Sequence, residues 1–260
     1  MIWLIFNQLS KTVLLKYRLA GRVISIYYPF VRNSPEKQKK ILIIAYSFSG
    51  QTNRLIRRIT AALEEQDIKV IKERISPNPQ LRFPLTSITS CVKMMLTTFV
   101  RQRIPIAPLS SNIHQNFDLI ILAGPTWSYN PSGPVLSLID RDGPTLFKGQ
   151  TVLPLISCRG YWLMHWLGLK RLLKSCGATV PNCIVFSHPN KEPWRTIGVF
   201  FKIAGKNPER HHILGKYYNH FGHSTDQQNE ASRFGTIIGN ALNTNQPLDN
   251  LIFRTKKALP

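Results

Sequence analysis

From residue 39 the chain alternates between short, unbroken apolar runs and longer segments in which apolar positions recur every three or four residues. The first run, Ile41-Leu42-Ile43-Ile44-Ala45-Tyr46, has no polar position to turn toward water. Such a run marks a strand covered on both faces of a sheet. Four further runs predict strands over residues 68–74, 118–124, 151–157 and 180–186. Pro154 weakens the fourth, because proline withdraws a ladder donor. Helical spacing between the runs predicts helices over residues 52–65, 87–103, 134–140 and 163–176, the last stopped by Gly177. Strand and helix alternating in this way require a parallel sheet with right-handed crossovers, hence an α/β fold.

The order loosens after residue 188 and returns with a last helix from Thr225, where Thr225 and Gln228 form the expected capping box. Its apolar face, including Ala231, Phe234, Ile238 and Ala241, is expected to cover the sheet beside the first helix. That first helix buries Leu55, Ile56, Ile59, Ala62 and Leu63. The segment 193–206 reads as an apolar insertion. We find no internal repeat and no low-complexity tract. The pattern gives one domain over residues 38–245, with insertions near 75–113 and 189–224, an extension over 1–37 and a tail over 246–260.

Charge adds a second theme, since 34 Lys and Arg against 13 Asp and Glu give a formal +21 in 260 residues. Residues 1–35 hold no acid, and neither do residues 75–117. A surface of this sign draws anionic membranes, nucleic acid or acidic partners through a field that salt screens beyond about 10 Å. No nucleic-acid recognition motif accompanies the charge, so nucleic acid is not the expected partner. Residues 2–28, if helical, place Lys11, Arg18 and Arg22 on one stripe and Ile2, Phe6, Leu9 and Val13 on another. That is the layout of a helix lying in an anionic membrane interface. An arm packed on the protein's own surface or on a second subunit of a homo-oligomer accounts equally well for the same pattern. The apolar start, Met1 to Phe6, is far short of the ~20 residues a span requires. Its positive charges follow rather than precede it, unlike a secretory signal.

Cys91, Cys158, Cys176 and Cys183 show no metal-ligand spacing and read as reduced thiols of a cytoplasmic protein, with peripheral attachment at the inner membrane face left open. His211, His212, His220 and His223 cluster locally, but no Cys or carboxylate at ligand spacing joins them, and no metal is expected.

Candidate chemistry lies in the loops after strands one, three and four, since open α/β sheets bind ligands beyond the carboxyl ends of their strands. The first loop is Ser47-Phe48-Ser49-Gly50-Gln51-Thr52-Asn53. Hydroxyls, backbone amides and a helix N-terminus converge there, as a phosphate ester requires. A triphosphate P-loop is disfavoured because no Lys precedes the Ser or Thr, and a dinucleotide site because no Gly-x-Gly-x-x-Gly follows the strand.

Ser47-x-Ser49-Gly50-x-Thr52 resembles the phosphate loop of the flavodoxin superfamily. Pro125-Thr126-Trp127-Ser128-Tyr129-Asn130 resembles its second flavin loop, and Ser157-Cys158-Arg159-Gly160-Tyr161 stands where its third belongs. The resemblance implies a three-layer sandwich with five parallel strands in the order 2-1-3-4-5, and FMN bound by these three loops. Within the superfamily the chain is most similar to bacterial dialkylresorcinol-condensing-enzyme-like proteins, also described as NAD(P)H-dependent oxidoreductases. That likeness rests on Pro77 to Pro84, the loop from Trp127 to Pro134, Tyr161-Trp162-Leu163, Lys170 to Ala178 and the insertion ending Gly205-Lys206. It carries over the fold and the cofactor, not a reaction. The leading expectation is a reductase taking hydride from NAD(P)H. A quinone-like or lipophilic acceptor is expected from the apolar segments 87–100, with Val92, Met94, Met95, Leu96 and Phe99, and 193–206, which core burial accounts for as well. A non-enzymatic electron carrier exchanging electrons with a partner redox protein, or a membrane-associated scaffold, is the alternative. No catalytic side chain is assigned, because the chemistry would belong to the flavin. Arg159, in a loop that small acidic flavodoxins would not make basic, is expected either near the flavin ring, where a cation stabilises an anionic reduced form, or out in water.

Overall fold

The computed structural model describes residues 3–5, 12–19, 22–29, 38–85, 87–218 and 220–259. The chain divides into two compact units, Met1–Lys37 and Gln38–Pro260. In the first, β1 (Trp3–Ile5), β2 (Thr12–Leu19) and β3 (Arg22–Pro29) form an antiparallel sheet in the order β1-β2-β3. The helix considered for residues 2–28 is therefore replaced by strands. The segment Val23-Ile24-Ser25-Ile26-Tyr27-Tyr28 is β-branched and aromatic, and such residues lose rotamer freedom in a helix and fit a pleated surface. Ile2, Phe6, Leu9 and Lys11 of the stripes assigned to that helix lie outside the described residues.

The second unit is built on β4 (Lys40–Ala45), which pairs in parallel with β5 (Lys69–Arg74) on one side and β6 (Leu119–Trp127) on the other. Beyond β6 lie β8 (Val152–Cys158) and then β9 (Ile184–Ser187), both parallel, while the two-residue β7 (Asn130–Pro131) folds back antiparallel on β6. In chain order within this unit the parallel strands run 2-1-3-4-5. The strand period of two then divides the core. Ile41, Ile43, Ile121, Leu155 and Phe186 pack under α1 (Gln51–Glu64) and α6 (Thr225–Asn243). Leu42, Ile44, Ile120, Leu122 and Val152 pack under α3 (Gly133–Leu146) and α4 (Trp162–Ser175). Two covered faces explain why β4 needs an unbroken apolar run.

Pro154 sits inside β8 without breaking it. Val152 donates its N–H to Thr179 O, so the nitrogen two residues on faces the same side, where pairing with β9 starts only at Leu155. No donor is required there.

Several boundaries move for local reasons. α2 (Ile88–Phe99) stops four residues early, as Arg101 turns to a left-handed φ of 59°. α3 runs past residue 140 to Leu146. Its Gly143-Pro144 pair is not a stop signal, because a Cβ on Gly143 would stand 2.8 Å from Cys176 Sγ, so glycine serves a close helix approach. The last helix is capped by Ser224 and Gln227, one residue before the expected pair. The insertion 193–206 contains α5 (Trp194–Ile203). Residues 246–260, read as a tail, join the core instead: Leu248, Phe253 and Ala258 are buried, and Ser187 N–H donates to Ala258 O at 2.7 Å along the edge of β9. An unpaired edge strand exposes donors that the returning chain satisfies.

Candidate functional site

β4 delivers the chain to Ser47 beyond the carboxyl edge of the sheet, and α1 begins at Gln51. Gly50 is its N-cap, with φ 80° and ψ −6°, a left-handed conformation that favours glycine, and no heavy atom lies within 4 Å of where a Cβ would stand. No side chain caps the helix, so its first N–H groups are free to receive an anion. Ser47 Oγ is buried without a hydrogen-bond partner among the described residues. Thr52 is buried, Ser49 and Gln51 are half-buried, and Asn53 faces water. Gly222 comes against this turn, 3.5 Å from Gln51 Cγ and 3.8 Å from Arg54 Nη1 measured from its would-be Cβ. Arg54 thus adds positive charge at the helix N-terminus.

The second loop is a tight hairpin in which Trp127 faces Asn130, with Ser128 and Tyr129 both at positive φ, 44° and 67°. Two such non-glycine residues are held only where surroundings over-determine them. Here the surroundings are α2: Ser128 Oγ lies 2.8 Å from Thr98 Oγ1 and donates to Met95 O, and Asn130 Nδ2 donates to Thr98 O and Phe99 O at 3.3 Å each. The polar side chains of Ser128 and Asn130 are therefore occupied by α2. Thr126 Oγ1 is held 2.7 Å from Nδ1 of His165 on α4. Trp127 is buried and meets Tyr46 and Phe48 edge-on, leaving Tyr129 and Tyr161 as the exposed aromatics of these loops. Their ring centroids are 5.6 Å apart.

In the third loop Ser157 Oγ lies 2.9 Å from His223 Nε2, both groups buried. Cys158 Sγ donates to Phe186 O at 3.5 Å and meets Ser187 Oγ at 3.4 Å. Burial pushes its thiol up to about 11, so it stays protonated and is not a nucleophile. The Arg159 guanidinium stacks 5.1 Å from the Phe200 ring centroid, and Arg195 covers the Gly160 backbone. Tyr161 starts α4 in a left-handed conformation, with φ 54°.

Two connected hollows join the loops. A narrow one of about 100 Å³ runs from Ser49 and Thr52 past Phe48, Phe83 and Phe221 to Pro125, Ser157 and His188. A wider one of about 420 Å³ opens between Trp127, Tyr129, Tyr161, Met95, Phe99 and Phe200. Thr126, Trp127, Arg159, Val199 and Ile203 line both, so Arg159 stands at their junction. The wider volume is within the range of small-molecule sites.

The fold thus brings Phe48, Ser49, Gln51 and Thr52, residues 125–129 and residues 157–161 onto one connected hollow. Ser47, Gly50, Asn53 and Asn130 do not line it. Sequence reasoning did not place His188, Phe83 or Phe221 at the site, and named His223, the partner of Ser157, only within a histidine cluster. His188 Nε2 is 3.0 Å from the Tyr218 hydroxyl, and burial lowers its pKa to about 3. Phe221 lies 173 positions from Phe48 and His188 lies 30 from Cys158, so only folding brings them to these loops. Of the four clustered histidines, His211 accepts backbone N–H bonds from Ile213 and Leu214, while His223 points inward to Ser157. Among the described residues no three His, Cys, Asp or Glu side chains gather as a metal site.

A parallel sheet in the order 2-1-3-4-5, sandwiched by helices and with loops converging at the carboxyl edge, makes this a doubly wound α/β protein with the strand order of the flavodoxin-like fold. No protein-family model matches the chain, and no curated protein matches it in sequence. Similar solved structures include a flavoprotein in complex with FMN from Lactobacillus acidophilus, with 17% identity over 56% of this chain and 91% of that one at a TM-score of 0.43. A flavodoxin from the domain Archaea is 13% identical over 78% of this chain and 99% of its own, at 0.42. An oxidoreductase from Corynebacterium diphtheriae is 11% identical over 65% and 93%, at 0.37.

Proposed function

We propose that the chain binds FMN and works as an oxidoreductase that takes hydride from NAD(P)H and reduces a quinone-like or lipophilic acceptor. The observation that carries the cofactor is the pairing of an uncapped helix N-terminus, beside the orphaned Ser47 hydroxyl, with an aromatic-walled hollow reached through a narrow neck. A phosphate ester suits the first, and a flat heterocycle the second. Ser47, Ser49, Thr52 and the amides of residues 50–53 would hold the phosphate. Residues 125–129 and 157–161 would enclose the ring. Bound there, FMN supplies hydride acceptance and electron transfer. The protein supplies orientation, an apolar wall that excludes water, and a cation, Arg159, at the junction of the two hollows.

The apolar lining of the wider hollow, with Met94, Met95, Leu96 and Phe99, favours a lipophilic acceptor over a hydrophilic one. The competing reading, an electron carrier or scaffold without turnover, differs in its donor. Titration of the purified protein with FMN should quench flavin fluorescence to saturation, and NADPH or NADH should then bleach the visible flavin band. Saturable binding without bleaching by either nicotinamide supports the carrier instead. Absence of saturable binding overturns both.

A further inference from the structure

We propose that the face formed by α2, the start of α4 and the Tyr129–Tyr161 pair docks on an anionic lipid bilayer, so that the wider hollow opens toward the membrane. The inference deepens the lipophilic-acceptor reading above by naming the surface through which an acceptor would enter.

α2 is apolar on more than one side. Its inner side buries Cys91 and Thr98, and Met94 and Met95 line the hollow. Its outer side nonetheless presents Ile88, Val92, Leu96 and Phe99 at i, i+4, i+8 and i+11, with Leu96 and Phe99 each 65% exposed. An apolar stripe of this length on the outside of a helix is normally covered by something. The first two turns of α4 repeat the pattern with Leu163, Met164 and Leu167, all more than half exposed. The two patches are continuous. Arg101, just past α2, brings Nη2 within 3.4 Å of the would-be Cβ of Gly168 on α4, and Tyr129 meets Tyr161 between them. Both tyrosines are exposed, and tyrosine is a residue of the water–lipid boundary.

Charge selects the occupant. Residues 74–117 and 143–191, which contain α2 and α4 entire, hold no Asp or Glu. Lys93, Arg171 and Lys174 are exposed on these helices. An apolar centre with a predominantly basic surround, in which the nearby acids Asp140 and Glu192 are paired with Arg103 and Arg195, fits a negatively charged leaflet. A second copy of this chain is a poor partner, because a two-fold contact would set the same basic surround against itself. The mouth of the hollow lies inside the patch, since Leu96, Phe99, Tyr129 and Tyr161 line it.

The test uses the full chain with vesicles of phosphatidylcholine, alone or mixed with phosphatidylglycerol. Co-sedimentation should be strong on the mixed vesicles and weak on the neutral ones. Leu96→Asp and Leu167→Asp, each on an exposed position, should weaken binding by roughly tenfold or more apiece. Circular dichroism and FMN titration of the variants report fold and cofactor separately, so a failed membrane reading leaves the flavin reading intact. An environment-sensitive fluorophore on Leu96→Cys should shift to the blue when mixed vesicles are added. Unchanged binding by both Asp variants overturns the proposal. So does a blue shift that follows protein concentration without lipid, which identifies a dimer contact.

Discussion

Ser157 Oγ and His223 Nε2 meet at 2.9 Å across 66 residues of chain, tying the end of β8 to the residue before the cap of α6. Both groups are buried, and the serine lies on the narrow hollow. Burial lowers the His223 pKa to about 4, so the imidazole is neutral at pH 7 and shares one proton with the hydroxyl.

Replacing Ser157 by Ala leaves a buried imidazole nitrogen without its partner. The expected loss of stability is about 1–3 kcal/mol, read by urea denaturation of variant and parent. A loss below the error of the extrapolation would show that the pair does not hold the loop.

Stability should fall as the solution is acidified below neutrality. Burial lowers the pKa of His165 and His188 to about 3 and of His223 to about 4. In the unfolded chain these rings titrate near 6.5. Between those limits the unfolded state binds more protons, so stability is full above about pH 6.5 and declines as pH drops toward 4. Each ring contributes a slope of up to about 1.4 kcal/mol per pH unit. The melting temperature from pH 7.5 to 4.5 checks this, and His165→Phe should flatten the curve.

Gly50→Ala tests the anion cradle. A Cβ there meets no atom, so the cost is backbone strain at φ 80°, about 1–2 kcal/mol. Ser47→Ala removes an unpartnered hydroxyl and should leave stability nearly unchanged. Both should weaken FMN, by roughly tenfold for Ser47→Ala if one charge-assisted hydrogen bond is lost. Fluorescence titration separates the two effects.

Gly235→Ala tests how closely α6 lies on α1. The new Cβ would stand 2.7 Å from Ile59 O and 2.9 Å from Ala62 Cβ, both on rigid helix. The expected cost is about 1–3 kcal/mol, with FMN affinity unchanged because the contact is remote from the loops. Denaturation and titration of one preparation give both values.

Arg159→Met should shift the potential of bound flavin downward, since a cation at the junction of the hollows favours the reduced anion. A loss of about 1 kcal/mol corresponds to roughly 20 mV for a two-electron couple. A redox titration against dyes of known potential reads it, and an unchanged potential would place the guanidinium's effect on Phe200 alone.

What the sequence determined was whatever depends on neighbours along the chain. Ile41 to Ala45 had to be a doubly covered strand because every position is apolar, and Ser47 to Thr52 had to be a strand-to-helix loop because glycine and hydroxyls follow that strand directly. The strand order was legible only through resemblance, since periodicity alone does not say which strand lies beside which. Tertiary structure decided the rest. The polar groups of Ser128 and Asn130 are satisfied by α2, Thr126 by His165 and Ser157 by His223, partners that only folding brings near. The same holds for residues 246–260, which enter the core because β9 is an edge needing a neighbour. It holds for α2 as well: its sequence carries apolar residues on more than one side, and only its position over the hollow shows that Met94, Met95, Leu96 and Phe99 line a cavity while Ile88 and Val92 do not. Local patterns register which side chains avoid water; which surface they avoid it against is fixed by contacts between residues far apart in the chain.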